Sequence, residues 1–322
     1  MGQVYAAHDP ELNRKVAIKL MRARSGPGSG DERGRMFLMR EARSIARLSH
    51  PNVVVIHDVG TLGDMVFIAM EFVEGHTVRY WMLAQQRSWR EVLKVFAAAG
   101  AGLAAAHENE LVHRDFKPDN VMIRADGEVR VMDFGLARIV AKDSERRAHR
   151  TAVPHPILTS PEAGASEDLH ATRVLGTTWS GRRDQSDLHT SAAGSELHDT
   201  GMMVGTPAYM APEQFDGGEP DARADQFSFC ISLYEALYGE GPFRGNTVPE
   251  RAANVSQGRV AEAPAHVQVP PWIRNVLLRG LNVDPEQRWP SMKHLLSRLA
   301  ENARRLAEID EWLAERGANY SD

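Results

Sequence analysis

The pattern of apolar and polar positions divides the chain into a strand-rich beginning and a helical remainder. In residues 3–20, apolar and polar positions alternate and β-branched residues then follow, and a turn signal at 8–10 separates the two halves. This pattern predicts a hairpin. Apolar residues at helical spacing predict a helix over 31–48. Short strands are predicted at 53–57 and 66–72. The beginning of the chain is therefore a small β-rich unit that carries one helix.

The rest of the chain has mainly helical spacing. An alanine-rich segment at 91–107 predicts a buried helix, and residues 111–136 return to short strands and loops. Further helices are predicted at 222–238, 272–281 and 291–316. Because 322 residues exceed what one hydrophobic core usually organises, we expect an α+β fold with two lobes.

One stretch, residues 141–199, departs from this order. It is dominated by Ser, Thr, His, Asp, Arg and Gly, and its one aromatic residue is Trp179. Such a composition cannot bury enough apolar surface to offset the entropy lost on ordering. We therefore predict a disordered insertion within a compact domain.

Composition and charge narrow the class of protein. Apolar residues make up 43% of the chain and charged residues 25%, as in globular proteins. The net charge of −5 gives no electrostatic case for nucleic acid or an anionic membrane. The longest apolar stretch, 95–106, is too short to cross a bilayer, and no secretion signal is visible. A single cysteine, Cys230, excludes an internal disulfide. These features indicate a soluble cytoplasmic protein without a membrane segment.

Two charged residues lie among apolar residues, one in a predicted strand and one in a predicted helix. Lys19 closes the strand 16–19 (VAIK), where a solvated edge lysine is the ordinary interpretation. Glu41 lies in the apolar face formed by Leu38, Ile45 and Leu48 on the predicted helix. A buried carboxylate requires a partner, so we expect the Lys19 ammonium to pair with Glu41.

Three segments later in the chain are informative when they are considered together with Lys19 and Glu41. Residues 113–120 read HRDFKPDN, residues 133–135 read DFG, and residues 205–213 read GTPAYMAPE. Alone, the first is an ordinary charged loop and the second a tripeptide that arises by chance. In this order they resemble the signature set of protein kinases. The chain resembles eukaryotic-type (Hanks-type) serine/threonine kinases of the bacterial branch, and Lys117 is typical of that class. Aminoglycoside-type kinases lack this lysine and the A-P-E segment.

The resemblance implies a bilobal protein kinase fold. It has a small antiparallel β-sheet lobe with one key helix at 1–73, a larger helical lobe at 74–300 and a helical tail at 301–322. The expected activity is non-specific transfer of the ATP γ-phosphoryl group to Ser or Thr hydroxyls of proteins, with autophosphorylation. ATP and Mg²⁺ are the implied cofactors, and protein substrates are the implied partners.

The resemblance also assigns roles to single residues. Lys19, held by Glu41, contacts the ATP phosphates, and Asp115 accepts or orients the proton of the acceptor hydroxyl. Lys117 offsets charge on the transferred phosphoryl group. The implied Mg²⁺ ligands are Asn120 and Asp133.

Further assignments rest on the resemblance alone. The implied ATP contacts are Gly2, Val4, Ala17, Met70, Glu71, Val73 and Met122. The implied structural or regulatory residues are Arg114, Thr206, Glu213, Asp225 and Arg288. Thr200 is the expected activating phosphosite, since a phosphate there would suit the Arg114 guanidinium.

The Gly-rich loop departs from the kinase pattern. Residues 2–4 supply only its last glycine and its valine, so a first strand and two glycines are missing. We expect a misplaced start site or a fragment. The alternative is a catalytically silent pseudokinase that acts as a scaffold. The oligomeric state, the physiological substrate and the upstream signal stay open.

The insertion generates a prediction. Deleting about residues 145–195 should leave the melting temperature little changed, because few buried contacts are expected there. Differential scanning calorimetry of the two proteins measures the difference. A large drop would show that the segment packs on a lobe.

Overall fold

A computed structural model describes residues 3–22, 31–63, 65–134, 207–215 and 220–317. The strands are β1 (Gln3–Asp9), β2 (Arg14–Arg22), β3 (Ile56–Leu62), β4 (Met65–Glu71), β5 (Gly75–Thr77), β6 (Val121–Arg124) and β7 (Val129–Val131). The helices are α1 (Asp31–Ala46), α2 (Val78–Ala84), α3 (Trp89–Glu108), α4 (Pro212–Phe215), α5 (Ala222–Tyr238), α6 (Val248–Ser256), α7 (Pro271–Gly280) and α8 (Met292–Gly317). Short 3₁₀ turns are Pro118–Asn120, Pro207–Tyr209 and Pro285–Gln287.

The first sheet is antiparallel with the order β1-β2-β4-β3. Its buried face follows the strand period of two, since Val66, Ile68 and Met70 on β4 are buried and alternate with more exposed positions. Helix α1 covers this sheet by packing on β3 and β4. Its buried residues Leu38 and Ala42 are one helical turn apart. The predicted small antiparallel lobe with one helix is confirmed.

The larger part is organised around α5. Residues on every side of α5 are buried, as expected for a helix at the centre of a core. Helices α3, α7 and α8 contact it, and α3 also packs on α8 and β7. Cys230 lies on α5 and is fully buried, and its burial raises the pKa of its thiol. The α+β kinase-type architecture predicted from the sequence is therefore confirmed.

The second sheet, β5-β6-β7, is antiparallel and frames the loops that follow α3. It also reaches the segment before β3: Val131 N donates to Asn52 O, and Val54 N donates to Val131 O. These bonds pair Asn52 and Val54 with β7 rather than with β4, and β3 begins at Ile56. The strand predicted at 53–57 therefore starts three residues too early, and only its last two residues belong to β3.

The sequence analysis placed most elements within two residues of their observed ends, but it missed β5, α2, α4 and α6. Helix α2 begins where Tyr80 N donates to Thr77 Oγ1, and α6 begins where Glu250 N donates to Thr247 Oγ1. A threonine N-cap was thus the available signal for each of these short helices. The lobe boundaries at 73 and 300 stay predictions. In the described ranges, no helix is long and apolar enough to span a membrane.

A buried ion pair holds the A-P-E segment on the larger part. The Arg288 guanidinium donates from Nη1 and Nη2 to the two carboxylate oxygens of Glu213, each at 2.8 Å. Arg288 is almost completely buried, and its remaining N–H groups donate to the carbonyls of Asn282, Arg223 and Val283. Every nitrogen of the Arg288 guanidinium therefore has a hydrogen-bond partner, which is the condition for a buried charge to be tolerated.

Replacing Arg288 with Met should lower the free energy of unfolding by about 3 kcal/mol or more, because the Glu213 carboxylate and three carbonyls lose their donor. Urea denaturation measures the change. The matched control is Arg298→Met, which removes an exposed pair with Glu301 and should change stability by less than about 0.5 kcal/mol. Equal losses in both variants would contradict the role given to Arg288.

Candidate active site

The loop between α3 and β6 gathers two of the expected catalytic residues and one of the expected Mg²⁺ ligands. Lys117 Nζ donates to Asp115 Oδ2 at 2.9 Å. Asn120 Nδ2 donates to Asp115 O at 2.8 Å and to Asp115 Oδ2 at 3.2 Å. These side chains are mostly buried. The structure therefore brings Asp115, Lys117 and Asn120 into one hydrogen-bonded cluster.

Lys19 reaches this region from β2. Its Nζ lies 2.8 Å from Asp133 Oδ1, and only 12% of the Lys19 side chain is exposed. The sequence analysis expected the ammonium to pair with Glu41 instead. Glu41 lies half-buried on α1, and within the described residues it makes no ion pair. In this structure the ammonium is held by Asp133, so the expected Lys19–Glu41 contact is not formed.

Asp225 on α5 holds the catalytic loop. Its fully buried carboxylate accepts hydrogen bonds from His113 N at 2.6 Å and Arg114 N at 2.7 Å, and His107 Nε2 lies 2.8 Å away. Arg114 has a φ of 66°, a left-handed conformation that costs a non-glycine residue roughly 1–2 kcal/mol. Charge-assisted bonds to the two backbone N–H groups offset that strain. Asp225 thus fixes the backbone next to Asp115.

His113 connects the loop to the segment that carries Asp133. The His113 Nε2 atom lies 2.8 Å from Met132 O, and the ring lies 4.7 Å from the Phe134 ring, centroid to centroid. Asp133, between these two contacts, has a φ of 60°. Packing on both sides maintains this strained conformation, which orients the carboxylate toward Lys19.

The expected ATP contacts lie on β1, β2, β4, the segment after β4, and β6. Ala17 is paired with Met70 across β2 and β4, and Val4 is paired with Lys19 across β1 and β2. Met70 and Val73 are buried, Ala17 and Met122 are half-buried and pack against the core, and Val4 is exposed. Gly2 lies outside the described residues.

Glu71 is more constrained than its sequence position indicated. Its N–H donates to Val55 O at 2.8 Å, so a contact between Glu71 and adenine falls to its carbonyl. Its carboxylate accepts from Arg124 Nη1 at 2.7 Å and from Arg130 Nε at 3.3 Å. The sequence analysis missed both arginines. They fix the segment that joins the small sheet to the larger part.

Gln214 is another residue whose role the sequence analysis missed. Its Oε1 accepts from Ala211 N at 3.0 Å, and its Nε2 donates to Arg114 O at 3.1 Å. The side chain therefore joins the A-P-E segment to the catalytic loop. Its place directly after A-P-E was the only available sequence signal. The expected regulatory residues Thr200 and Thr206 lie outside the described residues.

Two comparisons with known proteins agree with this geometry. The family model described as "Protein kinase domain" matches residues 1–172 and 186–299. "Serine/threonine-protein kinase PknL" of Mycobacterium bovis is 32% identical over 288 residues, which are 89% of this chain and 58% of the relative. "Serine/threonine-protein kinase PknB" of Mycobacterium tuberculosis is 29% identical over 295 residues, which are 90% of this chain and 39% of the relative. The chain thus spans less than two thirds of these relatives.

The family assignment rests on more than one motif. The family model matches most of the chain, and the structure joins Asp115, Lys117 and Asn120 in one cluster and Lys19 with Asp133 in another. The resemblance to bacterial Hanks-type serine/threonine kinases is confirmed. The chain belongs to the protein kinase domain family.

Proposed function

We propose that this chain is a protein serine/threonine kinase that transfers the γ-phosphoryl group of ATP to Ser or Thr hydroxyls of proteins and to its own hydroxyls. The observation that carries the proposal is the Asp115–Lys117–Asn120 cluster, on a loop whose backbone is held by Asp225. Phosphoryl transfer needs positioning and charge neutralisation more than covalent chemistry. This loop supplies a carboxylate with both an ammonium and an amide at hydrogen-bonding distance from it.

Each residue has a distinct part in the transfer. Asp115 orients the acceptor hydroxyl and takes its proton as the phosphorus–oxygen bond forms. Lys117, already against the Asp115 carboxylate, lies where it can offset negative charge on the transferred group. Lys19 holds the phosphates from the side of β2.

The donor atoms fit Mg²⁺, which members of this family generally use together with ATP. Asp133 offers carboxylate oxygens, and Asn120 uses its Nδ2 for Asp115, which leaves its Oδ1 as a hard ligand. Across the described ranges, no group of three or more His, Cys, Asp or Glu residues is arranged to hold a metal. That sparse set suits an ion that takes its remaining ligands from phosphates and water. Bound Mg²⁺ supplies charge neutralisation at the phosphates.

Partners and place of action follow from the same proposal. The substrates are proteins with exposed Ser or Thr residues. The net charge of −5 and the single cysteine support action in the cytoplasm without a role in nucleic-acid binding. The silent-scaffold alternative is less well supported, because Lys19, Asp115, Asn120 and Asp133 all keep the residue types that the chemistry requires.

Lys19→Met and Asp133→Asn should each abolish transfer, because both residues act on charge that develops during the reaction. Transfer of radiolabelled phosphate from ATP to casein measures the rate. Lys293→Met is the matched control, since that lysine pairs with Glu108 on an exposed surface of α8. Retention of more than about a tenth of the rate, a loss of only ~1.4 kcal/mol, would contradict these roles.

Phosphorylation of Thr200 should activate the enzyme. Arg114 Nε is buried and has no hydrogen-bond partner among the described residues. A phosphate carries about −1.5 to −2 charges and acceptor oxygens that suit a guanidinium group. Mass spectrometry of protein incubated with ATP should find phosphate on Thr200, and Thr200→Ala should lower activity while Ser195→Ala does not. A fully active Thr200→Ala variant would place the switch elsewhere.

A further inference from the structure

A guanidinium group on α2 joins three separate parts of the larger lobe. Arg79 Nη1 donates to Glu235 Oε1 at 2.7 Å, and Arg79 Nε and Nη2 lie 3.4 and 3.3 Å from Asp119 Oδ2. Arg79 Nη2 also donates to the Tyr209 hydroxyl. That hydroxyl in turn donates to Glu235 Oε2 at 2.5 Å. We call Arg79, Asp119, Tyr209 and Glu235 the Arg79 clamp.

The charges in the clamp are partly shielded from water. About a quarter of the Arg79 and Glu235 side chains is exposed, and about half of Asp119. Burial lowers the pKa of Arg79, but the neighbouring Tyr209 and Glu235 more than offset this, and the pKa is raised. Burial and then Glu235 raise the pKa of Tyr209. The guanidinium therefore stays charged and the phenol stays protonated.

Each partner of Arg79 belongs to a different part of the larger lobe. Asp119 directly precedes Asn120, whose Nδ2 donates to Asp115. Tyr209 lies three residues before α4 and two before the A-P-E segment, and its carbonyl accepts from Ser228 Oγ at 2.7 Å. Glu235 lies on α5, the helix whose N-terminal part anchors the catalytic loop. The clamp thus links the catalytic loop, the segment before A-P-E and α5.

We propose that Arg79 is a positioning residue for phosphoryl transfer, which fixes the catalytic loop, whose Asp115 meets the acceptor hydroxyl in the proposed reaction, relative to the segment before A-P-E. The proposal rests on the proposed kinase function. None of the described clamp contacts involves Lys19 or Asp133. Loss of Arg79 is therefore expected to impair use of the protein substrate and to leave the affinity for ATP unchanged.

A lysine cannot replace this arginine. The guanidinium contacts three side chains with three of its nitrogens, whereas an ammonium is a point charge that cannot present donors in that planar arrangement. Removing the charge altogether leaves Asp119 and Glu235 without their cation. Arg79→Lys therefore tests geometry with charge retained, and Arg79→Gln tests both together.

Steady-state kinetics with casein and ATP provide the first test. Both Arg79 variants should lower kcat/KM for casein by about tenfold, a change of ~1.4 kcal/mol, while KM for ATP stays within about twofold. The matched control is Arg87→Gln: Arg87 also lies near α2, but it packs on Trp81 and donates to Trp81 O. Unchanged use of casein in both Arg79 variants would overturn the proposal.

The double variant Arg79→Gln with Glu235→Gln separates positioning from stability. It removes one uncompensated carboxylate, so the melting temperature should return toward that of the wild type. We expect kcat/KM for casein to stay about tenfold below the wild-type value in this variant, because the hydrogen bond from Arg79 to the Tyr209 hydroxyl is still missing. Recovery of activity together with stability would show that Arg79 acts only on stability, and would overturn the proposal.

Hydrogen exchange gives a readout that does not depend on activity. In Arg79→Lys, peptides covering 115–120 and 207–215 should exchange faster than in the wild type and in Arg87→Gln. Unchanged exchange in both peptides would overturn the positioning role. Wild-type protein that transfers no phosphate to casein would contradict the proposed function instead, and the exchange comparison would still decide the role of Arg79.

Discussion

The site depends on one buried carboxylate. Asp225 accepts hydrogen bonds from two successive backbone N–H groups, those of His113 and Arg114, at the point where Arg114 takes up a left-handed conformation. Without these bonds the buried charge would have to be desolvated with only His107 as a partner. Folding of the α5 core therefore carries the catalytic loop into its strained conformation, and the geometry around Asp115 follows from core packing.

The signature residues were assigned through their resemblance to the kinase motifs, and the chemistry restricts their types. Phosphate, Mg²⁺ and a hydroxyl proton call for Lys, Asp and Asn in loops at element ends, and these loops lie between apolar stretches that are easy to recognise. The contacts between these residues were harder to predict. Lys19 is placed opposite Asp133 rather than Glu41. A point charge on a flexible stem can meet either carboxylate, and only the three-dimensional arrangement selects one.

The sequence analysis missed other residues for a different reason. Arg79 and Glu235 are 156 positions apart, and Arg130 is 59 positions from Glu71. Neither arginine carries a local signal, since a charged residue on a short helix or strand is ordinarily solvated. The strand predicted at 53–57 failed for a related reason. A β-branched run shows that a segment is extended, but the partner strand, here β7, is set by tertiary packing.

Helix α5 gives these observations a common physical basis. Asp225 and Glu235 lie ten residues apart on it, which corresponds to ~15 Å along the axis at 1.5 Å per residue. The first holds the backbone next to Asp115, and the second holds Tyr209 directly and Asp119 through Arg79. A helix buried on all sides cannot bend or shift without disturbing the core around it. The spacing between the catalytic loop and the segment before A-P-E is thus set by the length of one rigid element, and Arg79 transmits that spacing to the loop.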